Sequence, residues 1–210
     1  MKVCLVHVQS ARNKTSDIAD LTQELDADIA FLTESWLYPS GDEVYLHELT
    51  PTGYSASSFP RLRGRGGGIC VLFKQGLNFS SQRISNYSTF ECCESTLTQH
   101  GRITTFVCLY RPPPNRKNKL TTKDFIKDFQ DLLDSFSLRQ MKPIFLGDFN
   151  IHYDNSSDTD VRVVKSIIDS DNLHQVVDKP THKKQHTLDW ILTDNLESVT
   201  RVAVEDKCFF

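Results

Sequence analysis

Apolar residues along this chain come in short runs that stop at a polar residue, and between the runs the spacing relaxes to a helical period. Runs of about four to eight apolar residues have the length of buried strands, while a helix shows itself as a face repeating every three to four positions. Residues 2–8 read as a first strand. Thr15 or Ser16 then caps a helix carrying Ile18, Leu21 and Leu25 on one face, and residues 28–33 form a second strand that ends at Glu34. Residues 53–59 and 68–73 are strand-like on either side of the turn-rich PRLRGRGGG, which predicts a hairpin. Residues 78–84, 90–98 and 102–110 follow at intervals of about 12 residues, the rhythm of an antiparallel meander.

After Pro112, Pro113 and Pro114, Thr121 or Thr122 caps a helix whose Phe125, Phe129, Leu132, Leu133 and Phe136 make an apolar stripe. Residues 143–147 are a strand delivering Asp148, residues 161–168 another helix, and residues 187–193 and 199–204 the last two strands. This order predicts an α/β (α+β) fold of two sheets with helices outside them. No shift in composition marks a boundary, so residues 1–210 read as a single domain.

Composition narrows the picture. Of 210 residues, 39% are hydrophobic and 24% charged, which fits a globular protein and excludes a disordered, collagen-like or membrane-embedded chain. The 24 Lys+Arg against 27 Asp+Glu give a net charge of -3, so the chain lacks the basic excess that holds nucleic acid by charge alone. An enzyme that meets phosphate through a few local basic residues and a bound cation remains. Six cysteines without a C-x-x-C pair read as buried free thiols of a reducing compartment, nucleus or cytoplasm. No apolar run approaches the roughly 20 residues that span a bilayer, and MKVCLVHV is too short for a signal peptide, so no membrane partner is expected. Trp36 and Trp190 are expected in the core.

Candidate chemistry lies where apolar runs stop: Glu34, Tyr110, Asp148 and Asp206. Strand ends are where a rigid scaffold gathers distant side chains into one mouth. In GDFNIH, Gly147 allows a tight backbone, Asp148 and Asn150 share a face, and Phe149 points the other way into packing. A carboxylate beside an amide suits phosphate-ester hydrolysis, one orienting or deprotonating water and the other donating to a phosphoryl oxygen. The same residues equally suit an Asx-rich turn.

SARNK (Ser10 to Lys14), LTESWL (Leu32 to Leu37), GRGGGICVLFK (Gly64 to Lys74), LYRPP (Leu109 to Pro113), GDFNIH (Gly147 to His152), PTH (Pro180 to His182) and TLDWILT (Thr187 to Thr193) occur in that order over nearly the whole chain. The set resembles the endonuclease/exonuclease/phosphatase superfamily, and most closely the endonuclease domain of LINE-type non-LTR retrotransposons. The resemblance implies a DNase I-like four-layer α/β/β/α sandwich with two mixed sheets and a Mg²⁺- or Mn²⁺-dependent phosphodiesterase that nicks DNA. It implies Glu34 as metal ligand, Asp148 as activator of the attacking water, Asn150 and Tyr110 as partners of the scissile phosphate, Asp189 as the group orienting a catalytic histidine, and Thr181 on the DNA-facing side. It further implies DNA as partner to a monomer, with a reverse transcriptase fused in the full-length element.

Two positions depart from the family pattern. The terminal Ser-Asp-His motif aligns with Glu205, Asp206 and Lys207, and lysine keeps a positive charge but lacks the imidazole that shuttles protons near neutral pH. Losing a general acid/base removes about 10²–10⁴-fold in rate. At the start, relatives carry an Asn where this chain has His7, a bulkier group that can donate one hydrogen bond or stand in for the missing histidine. The sequence ends four residues after Asp206, which suggests a truncated last strand and either a piece of a longer polyprotein or a shortened copy. Arg65, Arg111 and Lys183, in basic loops around these motifs, are candidates for phosphate contact or ordinary solvated surface. The expected function is thus a DNA endonuclease impaired by Lys207 and His7. The alternatives are an inactive remnant keeping the fold with weak DNA or metal binding, and a phosphoesterase acting on an inositol phosphate or lipid head group.

Overall fold

The computed structural model describes residues 1–62 and 64–205. β1 (Val3–His7) and β2 (Ile29–Thr33) run parallel, and β2 is buried along its full length, which is why DIAFLT shows no alternation of polar and apolar residues. The predicted hairpin is β3 (Tyr54–Phe59) with β4 (Ile69–Lys74), and β4 pairs antiparallel with β2 to give a four-stranded sheet of order β1-β2-β4-β3. The meander is β5 (Asn78–Ile84), β6 (Glu91–Gln99) and β7 (Arg102–Tyr110) in a second sheet. That sheet continues with β8 (Ile144–Asp148), parallel to β7, and β10 (Asp189–Thr193), antiparallel to β8, and ends at the two-residue β9 (His174–Gln175).

Helices cover both outer faces. α1 (Thr15–Glu24) and α2 (Glu43–Glu48) close over the first sheet, burying Ile18 and Leu49 against Leu32 and Leu72. α3 (Thr122–Leu138) and α4 (Thr159–Ser170) close over the second, where the whole Phe125 to Phe136 stripe is buried with Val107, Leu109, Phe145 and Trp190. Between the sheets lie Ile29, Phe31, Ile69, Val71, Phe106, Cys108 and Leu146. The layers follow from the two-residue period of each strand: in β2, Phe31 enters the inter-sheet layer and Leu32 the helical one. The result is the expected α/β/β/α sandwich with two mixed sheets.

The structure corrects several expectations. α1 begins at Thr15 rather than after it, because Lys14 is the flanking residue and the Thr15 hydroxyl bonds Glu48 instead of capping its own helix. Asp158, not a residue near Val161, starts α4 by accepting from the backbone N–H groups of Asp160 and Val161. Residues 199–204 form no strand: after a short 3₁₀ turn (Leu196–Ser198) they are exposed or half-buried, without a ladder. α2 and β9 escaped the sequence reading because each is shorter than two turns or one alternation. Trp190 is fully buried, but Trp36 is 39% exposed rather than part of the core. The five described cysteines are free thiols, with Cys70 pushed by burial to about 12, and Cys208 lies outside the described residues. Among the described residues no helix is long and apolar enough to cross a membrane.

Candidate active site

Adjacent strands of the second sheet line up three of the predicted residues. Tyr110 and Asp148 are register partners across β7 and β8, and Asp148 and Asp189 are partners across β8 and β10. All three project into the space between the sheets, because Tyr110 shares its face with Phe106 and Cys108, Asp148 with Leu146, and Asp189 with Ile191. His7, on the face of Val3 and Leu5, meets this row from the first sheet.

Glu34 arrives by a different device. Continuing the alternation of β2 would send it toward the helices with Ala30 and Leu32. Instead its backbone turns left-handed (φ 57°) and the carboxylate swings to accept the Tyr110 hydroxyl. Gln9 (φ 43°), Ser10 (φ 79°), Trp36 (φ 54°) and Asn150 (φ 48°) also sit in this unfavourable region around the same mouth. Non-glycine residues adopt it at an energetic cost and cluster at functional sites when they do. The loops brace one another, Ser10 and Ala11 donating backbone N–H groups to the Glu34 and Ser35 carbonyls at 2.8 Å each.

Asp148 is buried and heavily bonded. Its carboxylate accepts from the Asn150 backbone N–H (3.0 Å) and side-chain amide (2.9 Å), and lies 3.2 Å from Nδ1 of His7. His7 Nε2 in turn stands 3.8 Å from Oε2 of Glu34. Burial pulls the imidazole pKa down, but the hydrogen bond and charge of Asp148, with the charges of Glu34 and Asp189, more than offset this, and the net direction is up from the ordinary value. Asp189 is raised to about 7, first by burial and then by the like charge of Asp148. Its buried Oδ1 finds no hydrogen-bond partner among the described residues. Tyr110 is driven upward by burial and by Glu34, so it remains a hydroxyl donor.

The other predicted residues take more structural positions. Arg111 is a correction: far from a DNA-facing surface, it is 2% exposed and donates to the Phe149 and Asn150 carbonyls and the Thr122 hydroxyl, its guanidinium lying over the Phe125 ring. It buttresses the GDFN turn from behind, and burial lowers its pKa to about 10. Both Asn150 amide hydrogens are spent inside the protein, on Asp148 and on the Arg111 carbonyl (2.8 Å). The Thr181 hydroxyl accepts from the Leu188 and Asp189 backbone N–H groups at 3.1 Å, holding the start of β10 in place. Arg65 and Lys183 are exposed on their loops. Asp206 and Lys207 lie outside the described residues.

Two features had no sequence signal. Glu91, the register partner of Tyr110 in β6, binds Arg61 and accepts from Gly68 N–H (2.6 Å), tying the glycine-rich turn to the strand that carries Tyr110. The exposed Trp36 indole rests on Gly66, where an added Cβ would lie 3.2 Å from its ring nitrogen. Among the described residues no three His, Cys, Asp or Glu groups converge tightly enough to enclose a metal ion. Glu34 and His7 nonetheless face each other across a gap, with carboxylates behind them. This arrangement fits a divalent cation held by one or two side chains and otherwise by water or substrate oxygen.

The sequence profile described as the Endonuclease/Exonuclease/phosphatase family matches residues 7–208. No curated protein matches the chain. Among solved structures, the chain is similar to the endonuclease domain of TRAS1, a telomere-specific non-LTR retrotransposon (16% identity, 91% of this chain and 83% of that one, TM-score 0.63). It is similar also to D. rerio TDP2 complexed with a single-strand DNA product (13%, 94% and 84%, 0.65) and to the human Nocturnin catalytic domain (20%, 88% and 74%, 0.62). At these identities the likeness is one of fold.

Proposed function

Because the chain belongs to the endonuclease/exonuclease/phosphatase family, we propose that its site hydrolyses phosphodiesters and that its substrate is DNA, nicked as by a non-LTR retrotransposon endonuclease. One observation carries the reading: Tyr110, Asp148 and Asp189 stand in a row at the ends of three neighbouring strands, facing Glu34 and His7 from the other sheet. The similarity to the TRAS1 domain and to DNA-bound TDP2 supports DNA as the partner. The superfamily generally depends on a divalent metal. Bound at Glu34, such an ion would supply charge neutralisation and orientation at a phosphate oxygen. We read the chain as one domain, since the site draws on both sheets.

The chain's own residues divide the remaining work. Asp148 has an acceptor oxygen fixed by Asn150 and is placed to orient or deprotonate water. Asn150 thereby acts as a positioning residue, and would release the Arg111 carbonyl in order to donate to phosphate. Tyr110 stays protonated and donates, with Glu34 as its resting acceptor and a phosphoryl oxygen as its working one. Asp189, uncharged or charged according to pH, has one oxygen available for a cationic partner.

Supercoiled plasmid, incubated with the protein and Mg²⁺ or Mn²⁺, should relax to open circles. Asp148→Ala should slow this by about 10²-fold or more. Equal nicking by both proteins would overturn the reading. A non-catalytic remnant is the second reading, favoured by His7, whose imidazole bridges Asp148 and Glu34 where relatives carry an amide. Under it the wild type does not nick and the double variant His7→Asn, Lys207→His does.

A further inference from the structure

His7 has two ring nitrogens and the site uses them differently. Nδ1 lies 3.2 Å from the buried Oδ2 of Asp148, within reach of a hydrogen bond to a carboxylate, while the Thr33 hydroxyl is a distant second partner at 3.5 Å. A carboxylate only accepts, so Nδ1 carries the hydrogen in this contact and the neutral ring presents its lone pair at Nε2. That lone pair looks at Oε2 of Glu34 across 3.8 Å. Two electron-rich atoms facing each other at this distance leave a gap for a positive charge, filled by a proton when the imidazole is charged and open to a metal ion that displaces that proton. Two donors about 2.0–2.1 Å from one cation stand about 2.9 Å apart at right angles, about 3.4 Å apart at the tetrahedral angle and about 4.2 Å apart when opposite, so a movement of about 0.4 Å from the observed 3.8 Å brings the pair to a regular geometry.

We propose that His7, through Nε2, is a nitrogen ligand of the divalent cation taken by this site, with Glu34 as its oxygen ligand and Asp148 as the carboxylate that fixes the imidazole. Asp148, His7 and the cation then form the carboxylate–histidine–metal relay in which the outer carboxylate sets tautomer and ring orientation. The consequence concerns metal choice. Oxygen-only sites suit Mg²⁺, whereas an imidazole ligand favours the later first-row transition metals. The departure at His7 therefore changes which cation the site prefers, from Mg²⁺ toward a Co²⁺- or Zn²⁺-like ion. The side chain is 34% exposed, so the ion can reach it without unfolding either sheet.

This inference rests on the phosphodiesterase reading of the same site, and its test does not use turnover. Co²⁺ and Mg²⁺ affinities of the intact chain are measured by calorimetry for the wild type, His7→Asn and Glu34→Gln, and Mn²⁺ bound to the same proteins is examined by pulsed EPR for coupling to an imidazole nitrogen. The wild type should bind Co²⁺ more tightly than Mg²⁺ and show the nitrogen coupling. His7→Asn should lose about tenfold or more in Co²⁺ affinity, with the coupling gone and Mg²⁺ affinity changed by less than about twofold. Glu34→Gln should weaken both ions. Absence of nitrogen coupling in the wild type, equal loss of both ions in His7→Asn, or failure of the wild type to bind Co²⁺ would overturn the assignment. Plasmid nicking without nitrogen coupling would sink this inference and leave the proposed function standing. Nitrogen coupling without nicking would do the reverse.

Discussion

Asp189 is where burial and charge conflict most sharply. Its carboxyl sits between the sheets beside Asp148, its Oδ1 has no partner among the described residues, and its pKa rises to about 7. In the unfolded chain the same group titrates near 3.8. A raised folded pKa means that the native state binds the extra proton throughout that window, so the contribution to stability is complete below pH 4 and is lost as pH climbs toward 7. Denaturation of the metal-free protein at a series of pH values should show this loss, up to about 1.4 kcal/mol per pH unit where only the folded form is protonated. Asp189→Asn should flatten the slope and be the more stable protein at pH 7.5. A variant with an unchanged slope would show that Asp189 ionises normally. At this scale the sequence was informative about identity and poor about environment. Asp148 and Asn150 were readable as neighbours on one face, but nothing local marked Arg111 as buried, since its four hydrogen-bonded and aromatic partners come from residues 11 to 39 positions away.

Elements position these groups, and the junction of β7 with β8 is the least forgiving. Gly147 lies opposite Leu109 in the parallel ladder with φ 151°, and a Cβ added there would fall 1.8 Å from the Leu109 carbonyl oxygen. The glycine is required by this close approach, one residue before Asp148. Gly147→Ala should therefore force β8 away from β7, costing about 3 kcal/mol or more and breaking the Tyr110–Asp148 register. Urea midpoints would measure the first effect, and plasmid nicking, where the wild type nicks, the second. A neutral substitution would contradict the close pairing of Gly147 with Leu109. Strands and long helices were legible because period and capping are local: Thr121 caps α3, and its five apolar residues bury as one stripe. The turn at Glu34 was not legible. Alternation in β2 assigns that residue to the helical side, and the pairing of its loop with Ser10 and Ala11 on one side and with Gly67 and Gly68 on the other holds the left-handed backbone that redirects it.

The site exists only while the two sheets stay packed, since His7 and Glu34 belong to one and Tyr110, Asp148 and Asp189 to the other. Phe106 and Phe31, with ring centroids 5.7 Å apart, bridge the sheets in their shared layer. Phe106→Ala should cost about 3–5 kcal/mol by leaving a cavity there. Because Trp190 sits in the opposite layer, beneath α3 and α4, its fluorescence in a Trp36→Phe background and far-UV circular dichroism should report the same shifted midpoint if the sandwich unfolds as a unit. Two separate transitions would show that the sheets are independently stable.

The sequence by itself determined most of the strands and the two long helices, because periodicity is written in neighbouring residues, and its motif order pointed to the sandwich and to candidate site residues. It also exposed the departure at His7. What that departure does was decided in three dimensions. Whether an imidazole touches one carboxylate or spans two depends on how closely sheets distant in sequence approach, and here they bring Asp148 and Glu34 to opposite nitrogens of the same ring. The exposure of Trp36, the burial of Arg111 and the aim of Glu34 were settled in the same way, by contacts between segments whose separation leaves no local trace.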